Sequence, residues 1–145
     1  MQNYNNHTRY FPFQHFLIMP LTLIYLIWTI VNFVRSIISG AGISIQIYHF
    51  IGALILFLLP MLARIYALKN QDRIIRMEMR QRYFELTGKP FRDYEKKLRL
   101  SQIIALRFAS DEELLPLIEK TIEEDLRSKE IKKSIKNWQE DRRRV

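Results

Sequence analysis

The sequence predicts an all-α fold: a transmembrane helical hairpin whose second helix extends into a cytoplasmic helical tail. Three observations carry this. Residues 16–34 and 45–63 are two 19-residue runs with no Asp, Glu, Lys or Arg, the length at which a helix crosses the hydrocarbon core of a bilayer. The first acidic residue of the 145-residue chain is Asp72, and a basic series, Arg64, Lys69, Arg73, Arg76, Arg80 and Arg82, opens directly after the second run. No segment alternates polar and apolar residues as a half-buried strand would, and no internal repeat is visible.

The charge is divided unevenly. Residues 1–63 carry only Arg9 and Arg35, for +2, and residues 64–145 carry 21 basic and 15 acidic side chains, for +6. The excess lies in residues 64–100, with 11 basic against 5 acidic, whereas residues 101–145 hold 10 of each. A basic flank beside an apolar span is the signature of a cytoplasmic loop and of anionic lipid before it is one of nucleic acid. Arg64, Lys69, Arg73 and Arg76 are therefore the expected lipid-headgroup contacts. With no cysteine there is neither a disulfide framework nor thiolate chemistry. A cleaved signal peptide is disfavoured: the first run exceeds the usual h-region, and a second full span follows it.

Three regions follow. Residues 1–15 are polar and aromatic, suited to the headgroup layer. Residues 16–68 form the hairpin, turning at about residues 39–42, where Gly40 and Gly42 tolerate the backbone angles a reversal needs. Pro20 and Pro60 sit symmetrically about that turn, which reads as helix-packing geometry in the absence of intramembrane charge. Residues 69–145 form the tail. Nothing breaks the helix between Ala63 and Thr87, and Gly88 with Pro90 then supplies a strong stop. The 43 residues from Ile45 would span roughly 65 Å, with Ile65, Leu68, Ile75, Met79 and Leu86 as an apolar stripe interrupted by Asp72 and Arg82. Residues 91–108 have helical spacing, with Tyr94, Leu98, Ser101, Ala105 and Phe108 on one side. Ser110 and Glu113 have capping-box spacing before a helix carrying Leu115, Ile118, Ile122 and Leu126, in which Pro116 predicts a kink. Ser128 is the expected cap of a last helix with Ile131, Ile135 and Trp138 on one face, a surface for either the tail core or a partner.

Chemistry is sparse. Thr22, Tyr25, Thr29 and Asn32 form a polar stripe on the first helix, read as intramembrane helix packing. His15 and His49 lie at opposite ends of the hairpin, and zinc needs about four converging ligands, so no metal site is expected. Asp111, Glu112 and Glu113 are explained by a helix N-terminus. Glu119, Glu123, Glu124 and Asp125 read as a solvated face. Glycine-rich phosphate loops are absent. No catalytic or cofactor-binding residues emerge, and none is expected.

Several stretches have familiar wording: QDRIIRME at 71–78, RYFELTG at 82–88, LRFASDEEL at 106–114 and IKKSIKNW at 131–138, with Asn3 to His7, Arg9 and Tyr10 at the start. They resemble a family of small uncharacterised bacterial membrane proteins over nearly the whole chain. The resemblance implies a two-span protein of the bacterial inner membrane and brings no activity.

The expected role is an accessory or scaffolding subunit of the inner membrane, both termini cytoplasmic, acting through anionic lipids and other membrane-protein subunits. The alternatives are a ribosome- or RNA-contacting factor using the basic C-terminal tail, or a membrane-surface enzyme. Interleaved acids at Glu140 and Asp141 count against nucleic acid. The lack of any catalytic constellation counts against an enzyme.

Overall fold

A computed structural model describes residues 11–139 of the protein. It is all-helical. The order is a π turn, Phe13–Ile18, then α1 (Met19–Ser39), α2 (Ile43–Thr87), α3 (Arg92–Glu95), α4 (Leu100–Leu106), α5 (Asp111–Glu123) and α6 (Ser128–Ser134). The chain divides into two compact units, with the boundary inside α2 between Leu68 and Lys69. The expected interfacial segment lies, for residues 1–10, outside the described residues.

In the first unit the helix begins at Phe13, three residues before the charge-free run. Its opening turn is π-helical and leads into Pro20, whose ring is at odds with the carbonyl four residues back. A widened turn relieves that clash. α1 ends at Gly40 (φ +70°), and Gly42 (φ +70°) precedes α2, so both turn glycines hold backbone angles costly for other residues. The Ser36 hydroxyl donates to the Ala41 carbonyl inside this turn.

The covered residues of α1 include Thr22, Leu26, Thr29, Phe33 and Ser36, with Met19 and Asn32 half-buried beside them. Those of the first half of α2 include Gln46, Phe50, Ala53, Phe57 and Pro60, with Gly52 half-buried beside them. Both series step by alternating fours and threes, the 3.5-residue period of left-handed helix pairs. Small side chains, Thr29, Ser36 and Ala53, are the most deeply buried, which lets two helices approach closely. Phe33 and Phe50 stack with centroids 6.1 Å apart, and the Gln14 amide donates to the Pro60 carbonyl at 3.1 Å.

The second unit is a small helical cluster. Ile75, Met79 and Tyr83 of α2 enter a core with Phe91, Ile103, Leu106, Phe108, Leu114, Ile118 and Ile131. The Tyr83 ring lies 5.2 Å from Phe91 and 5.4 Å from Tyr94. α2 stops where expected. Gly88 takes φ +67° and its N–H bonds the Phe84 carbonyl, and the Thr87 hydroxyl accepts from the Lys89 N–H.

Elsewhere the tail departs from the expected pattern. The single helix anticipated over residues 91–108 is two, α3 and α4. Arg99 is extended, and its N–H bonds Gln102 Oε1 at 2.7 Å, which starts α4 afresh. Leu98 stays buried, but Ser101 is exposed. α6 is capped around Arg127 rather than Ser128: the Arg127 N–H reaches Glu130 Oε2 at 2.6 Å. It ends at Ser134, so neither Ile135, its extended C-cap, nor Trp138 shares a helix with Ile131. The backbone beyond is committed elsewhere. Lys136 and Asn137 N–H groups both donate to Glu113 at 3.2 Å. The Ser110 N–H bonds the Asn137 carbonyl, and the Gln139 N–H bonds the Phe108 carbonyl. This is the one strand-like pairing among the described residues, between Ala109 and Trp138. Glu113 is thereby drawn away from the capping box: Ser110 is the N-cap of α5 but makes no side-chain cap bond, and its hydroxyl is buried without a partner. Pro116 lies inside α5 without ending it, at the loss of one hydrogen bond.

Trp138 packs half-buried against the core, its ring 5.1 Å from Phe108. Trp138→Ala should lower the stability of the tail by about 2–4 kcal/mol, toward the low end for a core aromatic because one side stays in solvent. Hydrogen exchange should show the loss of protection in α6 and the Phe108–Gln139 pairing. Unchanged protection would mean that Trp138 serves a partner and not the core.

Candidate functional site

The charged side chains of the tail half of α2 do most of the fastening. Arg82 is only 16% exposed. Its guanidinium donates to Asp111 Oδ1 at 2.6 Å, to the Arg107 carbonyl at 3.1 Å and to the Ala109 carbonyl at 2.7 Å. One planar fork thus ties α2 to the end of α4, to the connecting loop and to the first residue of α5, a use suited to arginine rather than lysine. In the sequence Arg82 reads as an interruption of an apolar stripe.

One turn away, Glu95 of α3 is held by two arginines. Arg80 donates to it through Nε (2.7 Å) and Nη2 (2.9 Å), and Arg76 through Nη1 (3.2 Å). The Glu95 side chain is 10% exposed. The Arg80 hydrogen bonds, aided by Arg76, hold its carboxyl below the ordinary value against the opposing effect of burial. Gln102 makes a third fastening. Buried in α4, it donates to the Leu126 carbonyl at 2.9 Å, and Arg99 pairs with Asp125 at 2.7 Å. Asp125 itself holds φ +46°, a turn conformation that acidic and amide residues tolerate.

The residues singled out in the sequence fall into different surroundings. Of the proposed headgroup contacts, Lys69 and Arg73 are exposed, Arg64 is half-buried and Arg76 is drawn to Glu95. In the polar stripe, Thr29 is buried, Thr22 and Asn32 are half-buried and Tyr25 is exposed. The two threonine hydroxyls return to carbonyls of their own helix, Thr29 to Leu26 at 2.8 Å and Thr22 to Ile18 at 2.9 Å. Ile131 and Ile135 are buried in the tail core. Lys132 sits over the Phe108 ring at 5.6 Å. The terminal arginines lie outside the described residues.

Beside the Arg82 clamp is an open cleft of about 380 Å³, floored by Met79 and Phe108 and rimmed by Glu78, Glu85, Asp111, Arg82 and Arg107. Its rim carries both signs of charge, and Asp111 and Arg82 are already engaged with each other. No cluster of three His, Cys, Asp or Glu suited to a metal occurs among the described residues.

Together these features define an all-helical protein with two helices long and apolar enough to cross a membrane and a small helical unit fastened by buried arginine and glutamine contacts. The chain belongs to the family of unknown function DUF6526, whose profile matches residues 1–145. No curated protein and no solved structure matches it.

Arg82→Met should lower the stability of the tail by about 2–4 kcal/mol, because it strands the carbonyls of Arg107 and Ala109 and removes the partner of Asp111. Denaturant unfolding followed by Trp138 fluorescence in a Trp28→Phe background measures this.

Glu95 makes stability depend on pH. Its carboxyl is lowered on folding, so the stabilisation is fully present above the unfolded value. It is lost as pH falls past the ordinary 4.5 and on through the lowered folded value. Glu95→Gln should therefore be less stable than wild type at pH 7, and the difference should shrink steadily as the pH is taken below 4.5. A pH-independent difference between the two unfolding midpoints would rule out this account.

Proposed function

We propose that the protein is a small integral protein of the bacterial inner membrane, spanning it twice with both termini in the cytoplasm, and that it serves as an accessory or scaffolding subunit. It works by contact, not catalysis, holding partner membrane proteins and anionic lipid. One observation carries the membrane part: the faces of α1 and α2 outside their shared seam are apolar and bare. Phe16, Trp28 and Ile38 are 73%, 68% and 81% exposed, which water would penalise and lipid would not.

Orientation rests on the basic flank, by the positive-inside rule. The headgroup role narrows to Arg64, Lys69 and Arg73, each worth about 1 kcal/mol near an anionic surface, since Arg76 is occupied by Glu95. The scaffolding part is supported by the tail, whose polar groups are spent on fastening helices together. Burial of Ile131 and Ile135 and the seating of Lys132 over Phe108 favour this over an RNA-binding C-terminal face.

The lack of native cysteine allows a clean test in intact cells. An impermeant thiol reagent should label Ser39→Cys, in the turn, and should label Ser134→Cys only after lysis. Alkaline carbonate should leave both variants in the membrane fraction. The reverse labelling would overturn the orientation, and release by carbonate would overturn the membrane assignment itself.

A further inference from the structure

Among the described residues of the tail, the large apolar side chains left exposed are Ile74, Met77, Phe84 and Leu86, all on α2, and the first three fall on one line. Ile74, Met77 and Phe84 are 55%, 65% and 58% exposed, and Gln81 between them is exposed too. Their spacings of three, four and three are those of the a and d positions of a coiled coil. At about 100° per residue the line lies roughly 180° around the helix from Ile75, Met79 and Tyr83, which fill the core. The two faces point apart, and no described residue of the tail buries Ile74, Met77 or Phe84.

The charges beside this line say what fits it. With Ile74 and Gln81 at a, and Met77 and Phe84 at d, the g positions are Arg73 and Arg80. The e positions are Glu78 and Glu85. In a parallel pair each g side chain meets the e side chain five residues on in the other helix. Two copies in register therefore set Arg73 against Glu78 and Arg80 against Glu85, on both flanks. Antiparallel pairing along the same seam would put arginine against arginine and glutamate against glutamate. Arg80 uses Nε and Nη2 on Glu95, so a contact with Glu85 of the second copy would fall to its Nη1. Gln81 donates to Glu85 at 2.8 Å and positions that carboxylate. A single polar residue at an a position, here Gln81, is a common means of fixing register.

We propose that the tail half of α2 is a homodimerisation surface, on which two copies of the chain pair in parallel through Ile74, Met77, Gln81 and Phe84 with Arg73–Glu78 and Arg80–Glu85 contacts across the seam. Parallel pairing also follows from the membrane reading above, because copies inserted the same way present α2 in the same direction. The seam is only about two heptads long, but its helix is already ordered by the tail core and bears no nucleation cost. Arg73, the outermost of the proposed headgroup contacts, is the one this pairing takes from lipid.

The test uses the full-length protein in native membranes. Ile74→Cys and Gln81→Cys should each form an intermolecular disulfide on mild oxidation, because a faces a in a parallel register. Asp93→Cys, exposed on α3, should not. Glu78→Arg and Arg73→Glu, each placed in the Gln81→Cys background, set like charges against each other on both flanks. Each alone should dimerise roughly tenfold more weakly, as two exposed pairs change from attraction to repulsion. Co-expression of the two should restore cross-linking between them, since every pair is then complementary. The proposal is overturned by equal cross-linking at Asp93→Cys, by a charge exchange without rescue, or by a Gln81→Cys adduct containing a different protein. Carbonate extraction of the same samples reports separately on membrane insertion. Release with cross-linking intact would refute the membrane reading and leave the dimer standing.

Discussion

Between Gly42 and Gly88 the chain meets no residue that ends a helix, and the 45-residue α2 that results supplies the packing surface for both units. A helix is given up only where backbone donors can be satisfied otherwise, and Pro60 removes just one of them. α2 therefore carries on from charge-free sequence into sequence dense in arginine. Its first half meets α1 through a seam of small and aromatic residues. Its second half meets the short helices of the tail through Ile75, Met79 and Tyr83. The compact units take their boundary within a continuous helix, between Leu68 and Lys69, because the change is one of side-chain chemistry and not of backbone.

The tail must fold with little apolar material. Helices α3, α4 and α6 have four, seven and seven residues, too short to persist on their own propensity. Directional contacts fasten them: Arg82 to the α4–α5 connection, Arg80 and Arg76 to α3, Gln102 to the turn before α6, and Glu113 to the backbone after it. A short helix has exposed end groups in proportion to its length, so side chains that reach those ends contribute more here than in a long bundle. Hydrogen bonds from a charged group to an otherwise stranded carbonyl are among the stronger ones available.

The parts legible in the sequence were those fixed by backbone chemistry and by long apolar runs. The turn glycines, the stop at Gly88 and the extents of α1 and α2 follow from positive φ, proline and the absence of charge, all local properties. The rest depended on which distant group a polar side chain would find. Glu113 has capping-box spacing from Ser110, but the N–H groups of Lys136 and Asn137 compete for it and win. Residues 131–138 keep helical spacing to the end, and only the pairing with residues 108–110 pulls Trp138 out of a helix. Arg82 looked like a flaw in a stripe because periodicity has no term for a guanidinium that closes three acceptors at once. The a/d line of Ile74, Met77 and Phe84 was likewise hidden, because Ile75 and Met79 next to it offered a second apolar line on the same helix. Burial tells the two apart.

Exposure of apolar residues carries different information in the two halves of α2. From Ile43 to about Leu62 most side chains are apolar, so a bare leucine or isoleucine there does not by itself mark a site. Past Arg64 the background is charged, and among the described residues of the tail Leu86 is the one large apolar side chain exposed off the a/d line. Against that background three large apolar side chains left in one heptad register stand out, and the arginine and glutamate columns beside them are ordered by position. Arg73 and Arg80 lie on one flank and Glu78 and Glu85 on the other, seven residues apart in each case. A solvated helix gains from mixing its charges at i and i+4. Arg73 and Arg80 on one flank with Glu78 and Glu85 on the other give a parallel pair of identical helices complementary edges, and the proposed pairing rests on that placement.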